Sequence, residues 1–304
     1  MKKAIVTGAN GFVGRYLVRE LLDNNCKVWI VVRNKSKICN LFNNNSVKII
    51  ECDLSNYKNL DKLFTEHNFD CFYHLAWEGS SGDFRKDYEM QLKNVESSAQ
   101  AVRAASILNC RRFVGAGSVT ELMYRNYLQN DNNKPEMVTC YAIGKMMAEY
   151  LCRCICIEYN VEFIWGYLSN FYGIGDKTNN FINYLSNQYL LGRTPILTEG
   201  NQLADFTYVS DIATALYLLG EKGVPGKNYY VGYGNPQPLK NFVLKIRDNI
   251  NVKLESGLNK KSFQGISIDF DKIDINKLSR DTGFVPKIDF DKGIKLTLEW
   301  IKNK

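Results

Sequence analysis

The chain has 304 residues, with 45% hydrophobic, 12% aromatic and 23% charged positions, proportions that suit one large or two modest globular domains and exclude disordered, collagenous and membrane-embedded classes. Its 39 basic and 32 acidic residues give a net charge of +7, but the two signs are interspersed and form no stripe for nucleic acid. The start MKKAIVTGAN lacks an apolar signal core, and no run approaches the roughly 18 residues of a membrane span, so no membrane association is expected and the cytoplasm is the expected location.

Short β-branched runs at 4–7, 28–32, 47–50, 71–75 and 112–116 alternate with segments of helical period such as 12–22 and 92–108. Strands alternating with helices predict parallel βαβ units buried on both faces. Beyond a last run at 161–168, glycines and prolines punctuate shorter elements. The expectation is an α/β fold: a doubly wound parallel sheet over residues 1–168 and a smaller, mainly substrate-binding lobe over 169–304, with some chain returning to the first domain.

The first strand runs into Thr7-Gly8-Ala9-Asn10-Gly11-Phe12-Val13-Gly14 and then into a helical pattern, the context of a Rossmann-type dinucleotide loop. Such glycines let backbone approach a pyrophosphate, which the free N–H groups of the helix start attract. Coenzyme choice is read about 20 residues further on, where a carboxylate would bind the ribose of NAD. Here Val31-Val32-Arg33-Asn34-Lys35 holds no carboxylate, and the planar fork of Arg33 suits a 2′-phosphate. NADP(H) is therefore the expected coenzyme, with NAD(H) the alternative.

In Tyr141-Ala142-Ile143-Gly144-Lys145 a phenol and an ammonium stand four residues apart, on one helical face. The pair gains weight from the dinucleotide loop upstream and from Ser118, just beyond the fifth predicted strand. A phenol ionises near pH 10; a lysine charge at about 4 Å in an effective dielectric of 20 would favour the phenolate by about 4 kcal/mol, which predicts a proton donor tuned toward working pH. The nine cysteines include no paired CxxC, so reduced thiols are expected. Cys152, Cys154 and Cys156 alternate along a helix and diverge too far to share a metal ion, and no metal site is expected.

With these motifs the chain resembles, over nearly its whole length, the extended short-chain dehydrogenases/reductases of the NAD-dependent epimerase/dehydratase family. Asn170-Phe171-Tyr172-Gly173 is similar to the family's NxYG segment, Asp205-Phe206-Thr207-Tyr208-Val209-Ser210-Asp211 to its RDFxYVxD, and Asp281-Thr282-Gly283-Phe284-Val285-Pro286 to its LGFxP. The resemblance implies that Tyr141 is the acid/base, Lys145 its electrostatic partner and ribose clamp, and Ser118 a hydrogen-bond donor to substrate. It implies coenzyme contacts at Gly8, Asn10, Gly11, Phe12 and Val13, at Arg33, Asp53 and Leu54, at Leu75 and Ala76, and at Tyr141 and Lys145. Substrate contacts are implied at Ser118, Thr120, Asn170 and Arg193, with Arg247 a further candidate for the diphosphate.

Two departures narrow the function. Family 4,6-dehydratases follow the corresponding residue with Asp-Glu, whereas Val119-Thr120 follows Ser118, so the elimination chemistry lacks its acid and base. An arginine that often precedes the Asp-Phe pair is Ala204. The resemblance thus implies NADPH-dependent reduction of the C4 ketone of a nucleoside-diphosphate 4-keto-6-deoxy sugar, hexose or heptose, in bacterial surface-polysaccharide synthesis. The alternative is an NAD-dependent nucleotide-sugar 4-epimerase. A homodimer is implied, built from the 92–108 segment and the Tyr141 helix.

Overall fold

A computed structural model describes residues 1–38, 42 and 44–303. The strands of the main sheet are β1 (Lys3–Thr7), β2 (Lys27–Val32), β3 (Val47–Glu51), β4 (Cys71–His74), β5 (Arg112–Ser118), β6 (Glu162–Leu168) and, after three short strands, β10 (Lys227–Val231). They form one parallel sheet in the order β10-β6-β5-β4-β1-β2-β3. The order reverses between β1 and β4, the place where a doubly wound sheet opens a crevice at its carboxyl edge.

Helices α1 (Phe12–Asp23), α2 (Tyr88–Ile107), α3 (Val119–Leu128) and α4 (Cys140–Glu158) follow β1, β4, β5 and α3 in the chain. The pleat divides the core. Ala4 and Val6 of β1 join Leu17, Val18 and Leu21 of α1 on one face, while Ile5 joins Val95, Ala101 and Ala105 of α2 and Ala148 and Cys152 of α4 on the other. Helix α2 starts a turn earlier than its periodicity predicts, because Asp87 caps it by accepting the Met90 N–H at 2.9 Å. On α4, Cys152 and Cys156 are buried and Cys154 is exposed, as the divergence of alternate helical positions requires.

The remaining elements are β7 (Asn170–Tyr172), α5 (Phe181–Leu190), β8 (Leu203–Ala204), β9 (Phe206–Tyr208), α6 (Val209–Lys222), β11 (Gln237–Pro238), α7 (Leu239–Asp248), α8 (Lys277–Thr282) and α9 (Phe290–Lys302). β7 pairs with β9 and β8 with β11. Helix α6 packs beside α1 and leads into β10, so residues of the second half complete the sheet of the first. An aromatic cluster of Tyr172, Phe206, Phe242 and Phe290, with Phe242 and Phe290 centroids 4.7 Å apart, belongs to the same apolar core as α1 and α6. Both ends of one family-like motif act as pins here: Asp205 accepts from Tyr230 Oη and Gly234 N, both at 2.9 Å, and Asp211 accepts from Lys287 N and Ile288 N at 3.1 and 2.9 Å. No helix among the described residues is long and apolar enough to cross a membrane.

Candidate active site

The crevice at the β1/β4 switch point is a cleft of about 670 Å³, within the range of small-molecule sites. Gly8 floors it at φ +67°, and a Cβ there would stand 2.7 Å from Ala76 N, so the close approach of the β1 and β4 exits admits only glycine. Gly11 is the N-cap residue of α1. Of the residues expected to meet a coenzyme, Gly8, Asn10, Gly11, Arg33, Leu54, Leu75 and Ala76 line the cleft. Phe12, Val13, Asp53, Tyr141 and Lys145 are not among its lining residues. Phe12 packs on Phe171 with centroids 6.0 Å apart, Val13 is buried, and Asp53 accepts from Ser55 N at 3.0 Å and Ser55 Oγ at 2.7 Å.

The loop after β4 supplies a wall that sequence reasoning missed: Trp77, Glu78, Gly79 and Phe84. Trp77 Nε1 donates to Gln91 Oε1 at 2.9 Å, and its indole links the cleft to the residues behind it. Lys145 Nζ lies 3.7 Å from the Trp77 ring centroid, and Tyr141 meets the same indole edge to face at 6.2 Å.

Ser118 is the last residue of β5 and the N-cap of α3, rather than lying beyond the strand. Its Oγ accepts from Thr120 Oγ1 at 2.9 Å and Thr120 N at 3.3 Å, which leaves its own O–H to donate. Its backbone N–H donates to Glu121 Oε1 at 2.6 Å. Glu121 completes a capping box and is wholly buried, with Trp165 Nε1 donating to it at 3.2 Å. That pattern, Ser followed three residues later by Glu at a helix start, was available in the sequence. Glycines 115 and 117 give Trp165 its space, since a Cβ on either would lie 2.2 Å from the indole.

Tyr141 and Lys145 share one face of α4, 6% and 5% exposed. Lys145 Nζ donates to Ala116 O at 2.7 Å. Burial pushes the Lys145 ammonium below its ordinary range, while Glu121 nearby raises it in part; burial pushes the Glu121 carboxyl up. The expected tuning of Tyr141 is corrected by this arrangement. Burial raises the phenol above its usual value, opposed first by the charge of Arg85 and then by a hydrogen bond with Ser118. Arg85, from the turn Gly82–Lys86, places its guanidinium 4.5 Å from the Tyr141 ring centroid. Desolvation outweighs the attraction, as it does where a charge would be stripped of water.

The substrate candidates are less gathered. Thr120 sits against Ser118, whereas Asn170 is an exposed residue of β7 and Arg193 an exposed residue after α5. Arg247 is spent on Asp248 at 2.7 Å. Arg33 is likewise engaged: its Nη1 donates to Glu78 Oε1 at 2.6 Å. The carboxylate absent from the β2 exit thus arrives from the β4 exit, 45 residues on.

The chain is 24% identical over 345 residues to dTDP-glucose 4,6-dehydratase of Escherichia coli, covering 99% of this chain and 94% of that protein. Its fold is similar to that of UDP-glucose 4-epimerase of Thermotoga maritima, solved with UDP-glucose, at a TM-score of 0.78 and 19% identity over 99% of each chain. It is equally similar to Bordetella bronchiseptica WbmF, solved with NADH, at a TM-score of 0.79 and 19% identity over 99% of this chain and 92% of that one. The sequence profile of one family runs from β1 through β10, residues 4–232, taking in the cleft and the Ser118, Tyr141 and Lys145 cluster behind it, and the chain belongs to that family, the NAD dependent epimerase/dehydratase family.

Proposed function

We propose that this chain reduces the C4 ketone of a nucleoside-diphosphate 4-keto-6-deoxy sugar, with NADP(H) as the coenzyme that Arg33 favours, in bacterial surface-polysaccharide synthesis. The observation that carries the reading is the asymmetry around Ser118. A hydroxyl, a phenol and an ammonium meet there, but Glu121, the carboxylate that accepts from the Ser118 backbone N–H, is sealed against Trp165 and offers no acid or base for elimination. The bound coenzyme supplies the hydride. Tyr141 Oη gives its proton to the ketone oxygen as that oxygen gains charge, Ser118 Oγ donates a hydrogen bond to it, and Lys145 steadies the phenolate left behind until solvent returns the proton. The raised phenol keeps the proton donor loaded at neutral pH.

A second reading, a nucleotide-sugar 4-epimerase holding NAD, is favoured by the occupation of Arg33 by Glu78. The two differ in coenzyme traffic. A reductase exchanges coenzyme every turnover, whereas an epimerase returns the same hydride to the same carbon. The reductase is expected to purify with little bound NAD(H) and to consume NADPH one for one with a 4-keto sugar nucleotide. About one NAD retained per subunit, with interconversion of two sugar nucleotides and no added coenzyme, would establish the epimerase instead.

The partner of the described chain is proposed to be a second copy. Tyr88 and Leu92 of α2 and Ile143, Met147, Tyr150 and Leu151 of α4 are 40–55% exposed, and α2 packs beside α4. Burying that face against its own copy gives a two-fold four-helix contact. Met147→Asp is expected to shift sedimentation from dimer to monomer; a wild-type chain that sediments as a monomer at micromolar concentration refutes the arrangement.

A further inference from the structure

We infer that Glu78 is a coenzyme-discriminating residue: it stands across the cleft from Arg33, engages the guanidinium that a 2′-phosphate would need, and repels that phosphate. This rests on the reading of the cleft as a nicotinamide dinucleotide site.

Arg33 leaves the end of β2 and Glu78 the loop after β4, strands separated in the sheet by β1. Their side chains meet at 2.6 Å, and both line the cleft that Gly8 and Gly11 floor. The two partners are not equally anchored. The Glu78 backbone is clamped on both sides by Asn94 of α2, which is 3% exposed: Glu78 N donates to Asn94 Oδ1 at 2.8 Å, and Asn94 Nδ2 donates to Glu78 O at 2.8 Å. The next residue, Gly79, is held by Gln91 Nε2 at 3.3 Å, and a Cβ on it would lie 2.5 Å from Met90 Sδ. The Arg33 side chain is 68% exposed and that of Glu78 41%, so the carboxylate moves only as far as its own side chain allows from a fixed backbone. Asp53 feels the charge of Arg33 but accepts its hydrogen bonds from Ser55, whereas Glu78 is in direct hydrogen-bond contact with the guanidinium.

An unphosphorylated ribose can donate a hydroxyl to Glu78 while Arg33 stays in place. A 2′-phosphate must draw Arg33 off Glu78 and then sit near a carboxylate whose root cannot retreat. Two like charges about 6 Å from one another in a water-like dielectric change affinity on the order of fivefold to tenfold when one of them is a near-dianion.

The test is the binding of NADH and NADPH to the full chain, followed by coenzyme fluorescence at fixed ionic strength, so that no turnover is needed. Glu78→Gln is expected to raise the affinity for NADPH relative to NADH about fivefold to tenfold, and Arg33→Gln to lower it. A rise of less than threefold in Glu78→Gln, with both coenzymes still bound, overturns the role of Glu78 and leaves the cleft assignment standing. Failure of the wild-type chain to bind either coenzyme overturns the cleft assignment and this inference with it.

Discussion

Tyr141→Phe is expected to fold as the wild type does and to turn over a 4-keto sugar nucleotide about 10² to 10⁴ times more slowly, the usual cost of losing a general acid. The substitution removes one oxygen from a ring that is 6% exposed and already packed against Trp77 and Arg85, and it leaves those apolar and cation–π contacts in place. What disappears is the proton for the ketone oxygen. Thermal unfolding within about two degrees of wild type would confirm that the loss is chemical; a variant that keeps more than half of the wild-type turnover would remove Tyr141 from the mechanism. The pH profile gives a second readout. Because burial raises the phenol, the protonated donor persists through neutral pH, while the Lys145 ammonium, which burial pushes down, loses its charge at lower pH than the phenol loses its proton, so kcat/KM for reduction should fall on the alkaline side starting below the pKa of the phenol.

The sheet was legible because its signals are local. β-branched runs alternating with amphipathic ones specify parallel strands, and the Gly8 to Gly14 loop carries its own geometry in its spacing. Four-residue spacing was enough to place Tyr141 and Lys145 on one face of α4. The electrostatics were not legible in the same way, because each depends on residues brought together by the fold. Arg85 reaches Tyr141 from 56 residues upstream in the sequence, and Glu78 reaches Arg33 from 45 residues downstream. Spacing gives proximity but not solvation, so a lysine charge tuning the phenol was expected, whereas in the fold burial dominates and the opposing charge is that of Arg85. The second lobe was read only as landmarks: the RDFxYVxD-like segment assigned no role to Asp205 and Asp211, which in the fold accept from Tyr230 Oη and from the backbone N–H groups of Gly234, Lys287 and Ile288.

Glu149→Ala is expected to destabilise the chain by about 3 kcal/mol, the lower end of the range for removing one partner of a buried ion pair. Glu149 lies one helical turn beyond Lys145 and is 1% exposed. Its carboxylate accepts from Arg125 Nη2 and Tyr167 Oη, both at 2.9 Å, and from Asn228 Nδ2, with Arg153 at 3.6 Å. It therefore ties α4 to α3, β6 and β10, the elements that fix the position of the Ser118, Tyr141 and Lys145 cluster. The Nε atoms of Arg125 and Arg153 are already buried without a hydrogen-bond partner, so the network has little slack. Taking away the carboxylate strands two guanidinium groups beside one another with no counter-ion. Their side chains are 31% and 32% exposed, so water recovers part of the penalty, which sets the effect near the bottom of the range. With a urea dependence of about 3 kcal/mol per molar, the unfolding midpoint should fall by roughly 1 M. Glu149→Gln preserves shape and one acceptor oxygen and should lose about half as much. A midpoint shift below about 0.3 M for the alanine variant would mean that the packing of α4 against β6, rather than the charge network, holds the Tyr141 helix in place.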